Sequence, residues 1–115
     1  IAFLSFGSIL NEVKQAAEIL GATVIDMRFI KPLDTEAIIN AVKAHNTLVT
    51  VEDNAIAGGA GSGVNEFILK EGLGIKVLNI GIPDQFIKHG TQEEVHKELG
   101  LDSEGILASV KAFLA

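Results

Sequence analysis

A few residues of this 115-residue chain carry chemistry beyond packing: three histidines, two adjacent carboxylates, a single arginine and a serine set among glycines. His89 lies in the run Asp84-Gln85-Phe86-Ile87-Lys88-His89-Gly90, just ahead of a helical pattern. A loop histidine there can bind a ligand or shuttle a proton, or it can simply hydrogen-bond nearby backbone. His45 falls at the end of a predicted helix, where a cation suits the dipole, and His96 sits on a polar helix face; both read as structural or solvated. Without cysteine or an H-x-x-x-H pair, the sequence offers neither thiolate chemistry nor a His/Cys metal cluster. Glu52 and Asp53 have the residue types of a general acid/base pair. Neighbours on a strand point to opposite faces, so at most one of them faces any crevice. Ser62 has no G-x-S-x-G frame and reads as a helix cap. A hydrolase built on Ser62 and His89 therefore lacks a framed nucleophile. Arg28 either clamps a carboxylate or phosphate or pairs with Asp26 or Asp34 to fix a turn, and the structural pair is favoured. These residues assemble no catalytic set, no cofactor site and no metal site.

The chain is organised around Thr47–Leu69, TLVTVEDNAIAGGAGSGVNEFIL. An apolar β-rich run leads into Glu52 and Asp53, then into Gly58, Gly59, Gly61 and Gly63, and a helical apolar pattern opens at Val64. Glycines here serve either close packing or contact with a ligand, because they lack a Cβ and tolerate positive φ. Valine at Gly59 or Gly61 is expected to destabilise by about 1–3 kcal/mol if those residues need positive φ or close contact. The turn aims free N–H groups at whatever lies over the helix start. It is neither a dinucleotide fingerprint, since Val64 stands where the third glycine belongs, nor a P-loop, since no Lys-Ser/Thr pair follows Gly63. Glu52 and Asp53 would repel a phosphate unless something neutralised them. Glu52, Gly58, Gly59, Gly61 and His89 are thus the candidate docking or ligand residues.

The elements that must position them alternate. Residues 1–6, 23–28, 47–51 and 75–80 read as strands, and helical spacing joins them through Ile9/Val13/Ala16/Ala17/Leu20, Ala37/Ile38/Ala41/Val42 and Val64/Phe67/Ile68. Ser8 and Asp34 are expected to cap the first two helices, and Gly21 and Gly72 or Gly74 to end the first and third. Thr91 and Glu94 match a capping box, and Asp102 or Ser103 caps a last helix whose inward stripe is Ile106, Leu107, Val110, Phe113 and Leu114. Four strand-helix alternations predict an α/β fold, a three-layer α/β/α sandwich on a mainly parallel sheet of order 2-1-3-4. Ligands favour the crevice at such a sheet's switch point, between the first and third strands.

Composition sets the outer bounds. A chain of this length reads as one domain, 1–115, with a real core, and 48% hydrophobic residues place it in the globular class. A net charge of −6 disfavours nucleic acid, and no apolar run approaches a membrane span. A soluble intracellular protein is the default expectation. The chain starts at Ile1 already in a strand pattern, which suggests a piece of something longer.

Three runs, TVIDMRFIKPLD, VTVEDNAIAGGAGSGVNEFI and LNIGIPDQFIKHGTQEEVHKELGLD, resemble the C-terminal domain of the 1-deoxy-D-xylulose-5-phosphate synthase family over nearly the whole chain. Asp53 stands where that family leads one to expect glutamate. The resemblance implies a transketolase-like enzyme that uses thiamine diphosphate with Mg²⁺ to condense pyruvate with glyceraldehyde 3-phosphate, releasing CO₂, for isoprenoid, thiamine and pyridoxal synthesis. It also implies that cofactor and substrate residues lie in preceding domains. This region would then be non-catalytic alone, bind no cofactor, dock on those domains and support a homodimer. An antiparallel edge strand ahead of Ile1 is implied too, as is a bacterial cytoplasmic or plant plastid location. The competing reading is a regulatory or small-ligand domain that uses the glycine loop.

Overall fold

The computed structural model describes residues 1–27, 33–55, 59–82, 90–91, 94 and 97–115, with 54 and 55 as backbone only. Strand β1 spans Ala2–Phe6, and all five of its residues are buried. β2 covers Thr23–Asp26, β3 Thr47–Ala55 and β4 Lys76–Ile82. Among the described residues they form one sheet of order β2-β1-β3-β4, parallel throughout. This is the expected order.

The reason is legible in β1. Ala2, Leu4 and Phe6 join one apolar cluster while Phe3 joins the other, so the strand is covered on both faces as parallel strands are. Helices α1 (Leu10–Leu20) and the last helix, α4 (Ser103–Leu114), cover the Phe3 face through Val13, Ala16, Ala17, Ile106 and Val110. Helices α2 (Thr35–Ala44) and α3 (Ala60–Glu71) cover the Leu4 face through Ile38, Ala41, Val64 and Ile68. The result is the three-layer sandwich.

Several expectations shift at the boundaries. β4 runs on through Gly81 to Ile82 rather than stopping at Ile80. In α4 the buried stripe ends at Val110, and Phe113 and Leu114 are exposed, because every residue of its last turn is solvated. α3 begins at Ala60, four residues before its apolar pattern, with Gly61 and Gly63 inside the helix. Glycine costs about 1 kcal/mol in a helix, so tertiary contacts outweigh propensity here. α1 and α3 do end on left-handed Gly21 and Gly72. The Thr91 hydroxyl accepts from the Glu94 N–H at 3.2 Å, one half of the expected capping box.

Candidate functional site

The carboxyl end of β3 is where the fold concentrates its polar groups. Strand alternation sends Leu48, Thr50 and Glu52 toward α3, and Val49, Val51 and Asp53 toward α1. The two carboxylates therefore do not share a site, as expected; each meets the start of a different helix.

Glu52 is 1% exposed. Its Oε1 accepts from the Ala60 N–H at 2.9 Å and its Oε2 from the Gly61 N–H at 2.7 Å. These are two of the orphan amides of α3's first turn, whose N-cap residue, Gly59, brings no side chain. The strand supplies the cap instead. Burial pushes the Glu52 carboxyl above the usual glutamate range; the bonds from Gly61 and Ala60 pull it back down, and the charge of Asp53 adds to the rise.

Gly61 makes this contact possible by what it lacks. A Cβ there would stand 2.7 Å from Thr50 Oγ1 and 3.0 Å from both Asn79 Nδ2 and Glu52 Oε2. Those atoms are themselves tied: Asn79 Nδ2 donates to Thr50 Oγ1 at 2.6 Å, and Asn65 Nδ2 donates to Asn79 Oδ1 at 2.6 Å. The glycine is needed for close approach and not for positive φ. Gly59, at φ −85° and ψ −170°, has extended backbone open to any residue, so positive φ is not what sets glycine there.

On the opposite face Asp53 Oδ2 accepts from the Ser8 N–H at 3.4 Å and from the Ser8 hydroxyl. Ser8 lies in a 3₁₀ turn, Gly7–Ile9, that leads into α1. It is thus a donor to a distant carboxylate rather than the local cap its type suggests. Gly7 has φ 84°, and a Cβ on it would meet Asp53 Oδ1 at 2.6 Å.

Carboxylates also meet the starts of α2 and α4. Asp34 accepts from the Ala37 N–H at 3.1 Å and Asp102 from the Gly105 N–H at 2.9 Å, both local caps as expected. Glu12 on α1 accepts from the Ser103 N–H at 2.6 Å and so adds a second, long-range anion to α4. His45 joins the end of α2 to β2: Nδ1 donates to the Ala41 carbonyl at 3.0 Å and Nε2 lies 3.0 Å from Thr23 Oγ1, a structural role. Ser62 sits inside α3, not at its cap, since the helix starts two residues earlier.

Of the candidate residues, the fold brings Glu52 and Gly61 into contact and places Gly59 beside them at the head of α3. Gly58 and His89 lie outside the described residues, as do Arg28 and His96. Sequence reasoning missed the reach of Glu52 back to α3 and the Thr50–Asn79–Asn65 chain. A helix start with no local side-chain acceptor, one loop after a strand-end glutamate, was the available signal. Among the described residues no group of three or more His, Asp or Glu is placed to hold a metal ion, and no helix is long and apolar enough to cross a membrane.

A family model, transketolase, C-terminal domain, matches residues 1–106. The 1-deoxy-D-xylulose-5-phosphate synthase of Colwellia psychrerythraea is 62% identical over 99% of this chain and 18% of its own length. That of Vibrio cholerae is 57% identical over the whole chain, again 18% of its own. The chain thus spans about a fifth of the relatives it matches. Among solved structures, one described as a split gene transketolase, inactive beta4 tetramer, superposes with a TM-score of 0.87 at 28% identity, covering 96% of this chain and 38% of that one.

Proposed function

The chain belongs to the transketolase C-terminal domain family, and from that premise we propose that it is the C-terminal domain of a 1-deoxy-D-xylulose-5-phosphate synthase. Its whole enzyme is then a thiamine-diphosphate transferase that joins pyruvate to glyceraldehyde 3-phosphate, in the cytoplasm of a bacterium or the plastid of a plant. The observation that carries the reading is 62% identity to such a synthase across 99% of the chain.

Thiamine diphosphate and Mg²⁺ do not fit the residues described here. The amides that a diphosphate would seek at the head of α3 already serve the Glu52 carboxylate. On the other face Asp53 takes the donors of Ser8. Both groups are anions and repel a phosphate. We assign the cofactor and its metal to the remainder of the enzyme and no catalytic step to this domain. Its role is to dock against the catalytic domains and support a homodimer. A structural relative described as an inactive tetramer is in keeping with a fold that associates without completing an active site. The regulatory-ligand reading of the glycine turn loses its anchor for the same reason as the diphosphate.

The test compares the full-length protein with a version lacking residues 1–115. The full-length protein is expected to turn over pyruvate with glyceraldehyde 3-phosphate, and the truncated one to lose dimer mass by light scattering together with turnover. Synthesis of the product by residues 1–115 alone, given cofactor and Mg²⁺, would overturn the reading.

A further inference from the structure

We propose that the head of α3 is an anion site which the chain fills from within, and that Glu52 is the positioning residue which fixes the start of α3 and the end of the glycine turn. Two consecutive amides, those of Ala60 and Gly61, converge on the two oxygens of one carboxylate, the fork that a free carboxylate or phosphate would enter. The carboxylate is 1% exposed and comes from a strand, eight residues before the first amide it meets. A helix that needed only a cap takes Ser, Asp or Asn at its own N-cap position. Gly59 declines that route, and Gly61 keeps clear the space that Oε2 enters.

The consequence is mechanical. With Glu52 on α3 and Asp53 on the Gly7–Ile9 turn, one end of β3 holds helix starts on both faces of the sheet. This rests on the docking reading, which gives the domain no catalytic step: Glu52 holds the backbone at the head of α3.

The experiment uses the full-length protein with Glu52→Ala, read by hydrogen exchange of a peptide spanning residues 59–64. Exchange is expected to rise about tenfold or more, since the two amides lose their acceptor. Added formate, a carboxylate small enough for the vacated space, is expected to slow it again; chloride at equal ionic strength is not, and the unmodified protein responds to neither. Unchanged exchange, or equal protection by chloride and formate, overturns the proposal. Should Glu52→Ala fail to accumulate as folded protein, Glu52→Gln replaces it: one acceptor is kept, so exchange exceeds the unmodified protein's and formate has no effect, whereas exchange equal to the unmodified protein's overturns the proposal. Exchange reads the helix start and light scattering reads assembly. A formate-dependent α3 in a protein whose truncation leaves dimer mass unchanged overturns the docking reading alone.

Discussion

Glu52 and Asp53 are adjacent in sequence, carry the same charge and do the same job, yet the sheet between their side chains gives them different physics. Glu52 is sealed under α3 and grips two backbone amides. Asp53 is half-buried, and its partners, the N–H and hydroxyl of Ser8, lie at an exposed turn. Water can stand in for Asp53. The intact Glu52 carboxylate is sealed from it. A helix cap is therefore worth what its replacement would cost, and that depends on burial more than on the bond itself.

The largest expected effect follows directly. Glu52→Ala leaves two buried amides without acceptors, each costing about 1–3 kcal/mol, and opens a small cavity; relief from burying a charge offsets part of this. A net loss of about 3 kcal/mol in urea unfolding is expected. Asp53→Ala is expected to lose about 1 kcal/mol, the usual scale of an exposed cap. Equal losses would break the contrast. Next comes the pair of glycines that admit the two carboxylates. Gly61→Val drives branched carbon into the hydrogen-bonded trio of Thr50, Asn79 and Glu52, for about 2 kcal/mol. Gly7→Ala meets the movable end of Asp53 and a left-handed φ of 84°, for about 1–2 kcal/mol, measured in the same way. A Gly7 variant worse than the Gly61 variant would put the rigid contact on the wrong face.

This contrast also marks what the sequence alone could show. The almost unbroken apolar run of β1, the alternation of strand and helix patterns and the glycines closing α1 and α3 made the layers and strand order readable, because each rests on neighbours in sequence. Asp34 and Asp102 were readable as caps for the same reason: acceptor and donor are three residues apart. The separation of Glu52 from Asp53 followed from strand period alone. The target of Glu52 did not, because local reading seeks a cap within the helix and fastened on Ser62. Likewise Ser8 looked like a cap for α1, whereas its acceptor lies 45 residues away on another strand. Phe113 and Leu114 show the opposite failure: a periodic stripe outlasts the surface it could pack on.

The smallest expected effects separate the two sites most cleanly, because an amide keeps the shape of a carboxylate. Asn at position 53 still offers one oxygen to Ser8 and is itself a good cap, so Asp53→Asn is expected to change stability by less than about 0.5 kcal/mol. Glu52→Gln offers one oxygen to two amides and points an NH₂ at the other, for about 1 kcal/mol at neutral pH. The pH profile then tests the cause. The folded Glu52 carboxyl titrates above its ordinary value of 4.5, so the unfolded chain releases this proton first as pH rises. Stability from this group is fully present below that value and is lost as pH climbs through the folded one. Gln has no proton to lose. The deficit of Glu52→Gln relative to the unmodified chain is therefore expected to be greatest in acid and to shrink toward neutrality. A deficit that widened with pH would mean that the amides of Ala60 and Gly61, and not desolvation, govern the charge of Glu52.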